Sequence, residues 1–208
     1  AADAFSGLQP GAFDLVILNS VVQYFPGLAY LRRVLEGAAA LLAPGGAVFV
    51  GDVRSHALME AMQASVQFHR AADEAARPAL RERIRRQMAD EEELHVDPAF
   101  FHGICAEHAA LDHAEIRLKR GAARDELNAF RYQTVLRSTP PGPPGRSLDW
   151  HRDGVTVPSL ERLLADDADL AVTRIPNGRL AAEADMLAWL HEAGEATVSA
   201  WRRRPRGA

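Results

Sequence analysis

One cysteine, Cys105, stands in 208 residues, so the chain holds no disulfide framework and no cysteine-rich zinc cluster, and it reads as a protein of a reducing compartment. Long hydrophobic runs are missing as well. No apolar stretch approaches the roughly 18 to 20 residues that span a bilayer, and the N-terminus lacks a basic region followed by an apolar segment; no membrane partner is expected, and a cytoplasmic location follows by default. An excess of positive charge is absent too. The formal net charge of −4 argues against nucleic acid as the partner, despite the basic tail at Arg202, Arg203, Arg204 and Arg206. None of the eight histidines falls in a His-x-x-x-His or His-Glu-x-x-His spacing, and no Gly-x-Ser-x-Gly occurs. Metal catalysis and a covalent serine intermediate therefore have no support.

What is present is an apolar fraction of 48% with 25% charged residues, the balance of a folded globular chain. The run Phe13 to Val22 is apolar without alternation through Leu15, Val16, Ile17 and Leu18, which predicts a strand buried on both faces, as in the middle of a parallel sheet. Leu28, Leu31, Leu35, Ala38 and Leu42 then recur at helical spacing until Pro44, Gly45 and Gly46 stop the pattern. Ala47 to Val50 reads as a second buried strand, parallel to the first across that helix. From Ala57 to about Leu94 the pattern is helical with a break near Pro78, and Asp97 followed by Pro98 predicts an N-cap and first turn. Ala114 to Leu118 and Phe130 to Leu136 alternate, which predicts an antiparallel pair nearer a sheet edge.

The stretch Thr139 to Gly145 holds four prolines and two glycines. It predicts a linker over 139–148 between a main domain, 1–138, and a small α/β appendage, 149–208.

Ligands of open α/β sheets lie beyond the carboxyl ends of the strands. The first strand ends in Asn19, Ser20, Gln23 and Tyr24 and the second in Gly51, Asp52 and Arg54, with Gly51 permitting close backbone approach. Capping of the following helices is an equal claim on Asn19 and Asp52. The acidic run Asp90 to Glu93 reads first as a solvated helix face, and Asp3 as a solvated loop residue.

The stretch Phe13-Asp14-Leu15-Val16-Ile17-Leu18-Asn19-Ser20-Val21-Val22-Gln23-Tyr24-Phe25-Pro26 resembles the fourth-strand motif of class I methyltransferases dependent on S-adenosyl-L-methionine, in the form found inside nonribosomal peptide synthetases. Leu42-Ala43-Pro44-Gly45-Gly46 with Val48 to Arg54 is similar to that family's fifth-strand segment. Asp125-Glu126-Leu127-Asn128-Ala129-Phe130-Arg131-Tyr132-Gln133-Thr134-Val135 resembles the late methylation motif Asn-Glu-Leu-Ser-x-Tyr-Arg-Tyr-x-Ala-Val. The likeness covers residues 1 to 138. Ile175 to Leu180 is similar to a segment that follows such domains. The family's Gly-x-Gly-x-Gly loop and ribose-binding carboxylate are not in the chain, which is expected to begin at the loop after the third strand.

The resemblance implies the carboxyl-terminal part of a Rossmann-like α/β sheet with helices on both faces. It implies S-adenosyl-L-methionine as cofactor, with Asp3, Ala4 and Phe5 at its adenine and Asn19, Ser20 and Val21 lining its site. The implied reaction is methyl transfer to an amino-acid nitrogen held on a carrier protein, among neighbouring synthetase domains. Asn19, Tyr24 and Arg54 are the candidates for orienting the amine, and Glu93 for taking up its proton. Two rival readings stay open: another nucleotide-dependent α/β enzyme such as a dehydrogenase, and a catalytically silent module that contacts neighbouring domains or a carrier protein.

Overall fold

A computed structural model describes residues 4–108, 110–123, 125–138, 142, 144–167 and 169–204. Asp3 and Arg206 lie outside these residues. The chain divides into two compact units, Ala1–Thr139 with Leu180–Ala208, and Pro140–Arg179. The stretch expected as one appendage over 149–208 is thus shared between them. Its last helices are amphipathic or apolar enough to need an apolar partner, and they find one in the first unit.

The first unit is built on a mixed sheet. Strand β1 (Phe13–Asn19) runs parallel to β2 (Leu42–Ser55), with α1 (Leu28–Leu41) as the crossover between them. On its other side β2 pairs antiparallel with β5 (Arg131–Arg137), which pairs antiparallel with β4 (His113–Leu118). Past the end of β1, the far part of β2 takes a parallel partner in the short β3 (His95–Val96). The parallel pair and the antiparallel pair expected from the two kinds of apolar pattern are both present.

Register explains the core. Val16, Val48, Leu136 and Ala114 lie opposite one another across four strands, and Leu18, Val50, Thr134 and Ile116 form the next row. On this face pack Leu31, Leu35 and Ala38 of α1, together with Phe101 and Ile104 of α4 (Pro98–Glu107). The Asp97 carboxylate caps α4, accepting from the Ala99 amide at 2.8 Å, and Pro98 occupies the first turn as its fixed φ allows.

The opposite register row of β1 behaves differently. Leu15 is 50% and Ile17 59% exposed, because β1 is an edge strand whose only partner among the described residues is β2. The expectation of burial on both faces is corrected here: an unbroken apolar run reports which faces suit burial, not which neighbours supply it.

Helix α2 (Met59–Arg70) and α3 (Arg77–Ala89, with Pro78 in its first turn) divide the expected helical region. They pack with α7 (Ala181–His191) and α8 (Val198–Arg202) around Phe68, Leu80, Ile84, Trp189 and Trp201. Arg77 is buried beneath this cluster. Its guanidinium donates to the carbonyls of Trp189, Ala193 and Gly194, each at 2.8 Å, pairs with Glu192 at 3.1 Å, and lies over the Trp189 ring. It thereby supplies donors to the Ala193 and Gly194 carbonyls just past α7 and adds a second one to the Trp189 carbonyl, which also accepts from the Glu192 amide at 3.2 Å.

The second unit consists of the parallel pair β6 (Arg146–Asp149) and β7 (Leu170–Thr173), joined through α6 (Val157–Asp166). A capping box between Thr156 and Ser159 opens α6. Helix α5 (Glu126–Ala129) belongs to the first unit and leads directly into β5.

Candidate functional site

Parallel pairing brings the carboxyl ends of β1 and β2 to one edge, where Asn19 stands opposite Gly51. A Cβ on Gly51 would collide with the Asn19 side-chain oxygen and the Phe49 ring, so glycine at this position is what lets the Asn19 amide lie across β2. Both strands then leave regular geometry at a non-glycine residue with positive φ, Ser20 at 55° and Asp52 at 64°. In β2 the departure is a bulge: the register with β5 slips between Val50 and Val53. Such a bulge re-aims a side chain at a strand end, and backbone in this region is held by its surroundings at a cost of about 1–3 kcal/mol per residue.

Asp52 is the residue re-aimed. Its carboxylate, 8% exposed as a residue, accepts from the Ser20 hydroxyl at 3.2 Å, from Arg131 at 2.8 Å and from Lys119. Lys119 is the only lysine in the chain. Burial by itself would raise the Asp52 pKa, but the Lys119 ammonium, the Arg131 guanidinium and the Ser20 hydroxyl outweigh it and hold the carboxyl below its ordinary value. Capping does not account for Asp52, since its oxygens go to these three partners. Asn19 donates to the Ser20 hydroxyl at 3.3 Å.

Beyond the bulge, His95, Arg54 and Arg131 stand opposite one another in neighbouring strands. Arg54 points to the face covered by α2, where Nη1 lies 3.7 Å from the Met62 sulfur. It pairs with Glu93 through Nε, with Glu126 at 3.5 Å and with Glu91 at 3.7 Å. Arg131 spans Asp52 and Glu126, the latter at 2.9 Å. Together these groups form one chain of alternating charge, Lys119, Asp52, Arg131, Glu126, Arg54 and Glu93, drawn from four separate segments. The acidic run is solvated only in part: Asp90 and Glu92 are exposed, and Glu91 and Glu93 are not. It lies past the end of α3, with the Glu91 and Glu93 side chains 16% and 30% exposed, because Arg54 draws them inward.

The other candidates are placed as follows. Tyr24 ends a single 3₁₀ turn at Val22–Tyr24 and is 72% exposed. Val21, just after β1, is 39% exposed. Ala4 is exposed, and the Phe5 ring lies where a Cβ on Gly37 of α1 would be. Asn19, Ser20, Asp52, Arg54 and Glu93 are thus gathered at one edge, and Tyr24 stands exposed on the turn that follows β1.

Lys119, Glu126 and Arg131 were not singled out from the sequence. Glu126 and Arg131 lie inside the late motif, whose opening at Asp125 is an N-cap accepting from the Asn128 amide at 2.9 Å. Among the described residues no group of three or more His, Cys, Asp or Glu is disposed to hold a metal ion, and no helix is long and apolar enough to cross a membrane. A cavity of about 410 Å³ between α2, α3 and α7 is lined by Ile84, Met88, Leu190 and His191 among others, and shares no residue with the charged chain.

No protein-family model matches this chain. A chondramide synthase of Chondromyces crocatus is 42% identical over 212 residues, which cover 98% of this chain and 5% of the synthase. A PF 1022-synthetase of a Rosellinia species is 36% identical over 85% of the chain and 6% of its own length. A beauvericin nonribosomal cyclodepsipeptide synthetase of Beauveria bassiana is 45% identical over 64% of the chain and 4% of its own length. The chain spans only about one-twentieth of the length of these relatives. Among solved structures, an O-methyltransferase family protein from Burkholderia thailandensis aligns at 21% identity over 66% of this chain and 32% of its own, with a TM-score of 0.38.

Proposed function

We propose that this chain, homologous over nearly all its length to segments of nonribosomal peptide synthetases, is the acceptor side of a methyltransferase domain using S-adenosyl-L-methionine. The substrate we assign is the amino nitrogen of an aminoacyl group tethered to a carrier protein. One observation carries this reading: the fourth-strand, fifth-strand and late motifs, far apart in sequence, close on one another through Asn19, Asp52, Arg54, Glu126 and Arg131 at a single sheet edge. A shared fold alone, as in a dehydrogenase, gives no reason for the late motif to meet the other two there.

The residues fit a cofactor with an apolar and a polar part. Asn19 and Ser20 offer an amide and a hydroxyl, Val21 offers an exposed apolar side chain, and the turn at Ser20 opens the end of β1. These three would hold the cofactor, with Asp3, Ala4 and Phe5 toward its adenine. When bound it supplies a methyl group on a sulfonium, which is electrophilic without help from a metal.

This chain's residues then have a positioning task, since an in-line displacement depends above all on orientation. Asn19 is the group we assign to fixing the amine and Arg54 to lining its site, with Tyr24 on the open side where a tethered acceptor arrives. The charged chain keeps Arg54 in place: each of its donors faces a carboxylate or the Met62 sulfur, so rotation would strand partly buried charge.

The test is methylation of an aminoacyl carrier protein by a longer protein containing this segment and the sequence before it, read by intact mass. A single added methyl that requires S-adenosyl-L-methionine is the expected result. A longer protein that binds the cofactor and contacts the loaded carrier, but adds no methyl under any acceptor, would favour the silent-module reading.

A further inference from the structure

Glu93, the residue first expected to take up the amine proton, is already committed. Its carboxylate is ion-paired with Arg54 Nε, and proton uptake would remove the charge that holds Arg54. Two residues on, the ring of His95 is in a different situation. His95 is 8% exposed and stands opposite Arg54 in the parallel ladder between β2 and β3.

Its Nδ1 lies 3.0 Å from the main-chain oxygen of Glu93. A carbonyl can only accept, so Nδ1 carries the hydrogen and the neutral ring keeps its lone pair on Nε2. That Nε2 is buried and has no hydrogen-bond partner among the described residues. A buried acceptor without a donor costs about 1–3 kcal/mol, so such an atom calls for an explanation.

A second acceptor in the same condition lies on the turn that follows β1. Gln23 is 5% exposed, and its Nε2 donates to the Ser20 carbonyl at 3.2 Å, which fixes the amide so that Oε1 is left without a donor. The main-chain oxygen of Gln23 accepts from the amide of Leu94, the residue before His95, at 2.8 Å. The turn that follows β1 is thereby tied to the strand that carries His95. Two buried lone pairs lacking donors, on segments joined at the acceptor edge, suit a ligand that brings N–H groups.

We propose that His95 Nε2 is the proton acceptor for the substrate amine. The inference rests on the methyl-transfer reading above. The ammonium form of the acceptor gives one proton to Nε2, which frees the nitrogen lone pair. That lone pair then forms the C–N bond to the methyl carbon of the sulfonium donor, while the carbon–sulfur bond breaks with its electron pair passing to sulfur. The imidazolium returns its proton to solvent. Glu91 and Glu93 from the same segment and Arg54 from β2 are the charges that bear on the ring. Burial, the largest influence, depresses its pKa, so the ring is neutral and able to accept near pH 7.

The experiment uses the longer protein, with wild type, His95→Gln and His95→Ala compared at saturating cofactor. His95→Gln is expected to lower kcat about 10²-fold or more, the low end of what a positioned base supplies. Its affinity for S-adenosylhomocysteine and its thermal midpoint at pH 8 should stay near wild type. Added imidazole should restore turnover to His95→Ala and leave His95→Gln unchanged, a rescue that a merely structural role would not show. Wild-type turnover and an unaltered pH profile in both variants would overturn the proposal while leaving methyl transfer intact. A wild-type protein that transfers no methyl group to any amine would overturn the functional reading itself.

Discussion

Nη1 of Arg131 donates to Oδ2 of Asp52 at 2.8 Å, which fastens the first residue of β5 to the bulge at the end of β2. Lys119 approaches the other carboxylate oxygen, so one buried anion gathers two cations from different segments. Asp52→Asn would take this counter-charge from both cations, leaving Arg131 its pair with Glu126. We expect a loss of about 3 kcal/mol, the low end for a broken buried pair, since Lys119 retains some contact with water. Asparagine tolerates the positive φ, whereas Asp52→Ala should cost about 1 kcal/mol more through backbone strain. Urea melts of the three proteins check both steps.

Two groups give the stability a pH dependence of the same sign. The native pKa of His95 is depressed by burial, and that of Asp52 is depressed by its cations despite burial. In each case the unfolded chain binds more protons as pH falls, so stability rises with pH. The His95 contribution is complete above its ordinary value of about 6.5 and is lost as pH falls through the native value; the Asp52 contribution is complete above about 3.9 and is lost further down. The thermal midpoint should drop in two stages on acidification. His95→Gln should remove the first stage, and Asp52→Asn should shrink the second, which Glu115 and Glu192, also held below their ordinary values by arginine partners, share.

Tyr24 offers a clean separation of chemistry from folding. At 72% exposure its hydroxyl can be removed at a stability cost within about 0.5 kcal/mol. In the longer protein, Tyr24→Phe should lower turnover and leave cofactor affinity unchanged if the hydroxyl serves the acceptor. Steady-state kinetics beside S-adenosylhomocysteine titration distinguish this from an effect on cofactor binding.

The exposed row of β1 makes a prediction about surroundings. Ile17→Lys should leave the stability of this chain alone nearly unchanged and reduce its self-association in light scattering, because a charge protects an apolar edge strand. In the longer protein the same change should cost about 2 kcal/mol or more, as expected when an apolar side chain is buried against a neighbour. Equal effects in both proteins would argue that nothing covers this strand.

Much of this fold was legible in the pattern of residues. The solid run at Leu15 to Leu18, the helical spacing from Leu28 and the run after Gly46 identify the parallel unit, and alternation at 114–118 and 130–136 identifies the antiparallel arm. Half of the site was also legible, because polar residues following apolar strands mark strand ends. The other half was not. Lys119 and Arg131 reach Asp52 across 67 and 79 residues, and no periodicity reports such separations. The bulge that turns Asp52 toward them is a one-residue slip without its own pattern in composition. Arg131 lies in the alternating run that starts at Phe130, and standing alone among arginines is the one mark the sequence gives Lys119.

Arg77 has a consequence for how this protein opens. Its three bonds to carbonyls near the end of α7 close a contact across more than 110 residues, with Trp189 stacked beneath. The amides of α3 and α7 should therefore exchange with deuterium at similar rates, as one cooperative unit assembled from distant parts of the chain. A protease that nicks the polypeptide between residues 140 and 179 would cut the covalent path between them without touching this lock. The two pieces should then migrate together under native conditions and part only in denaturant.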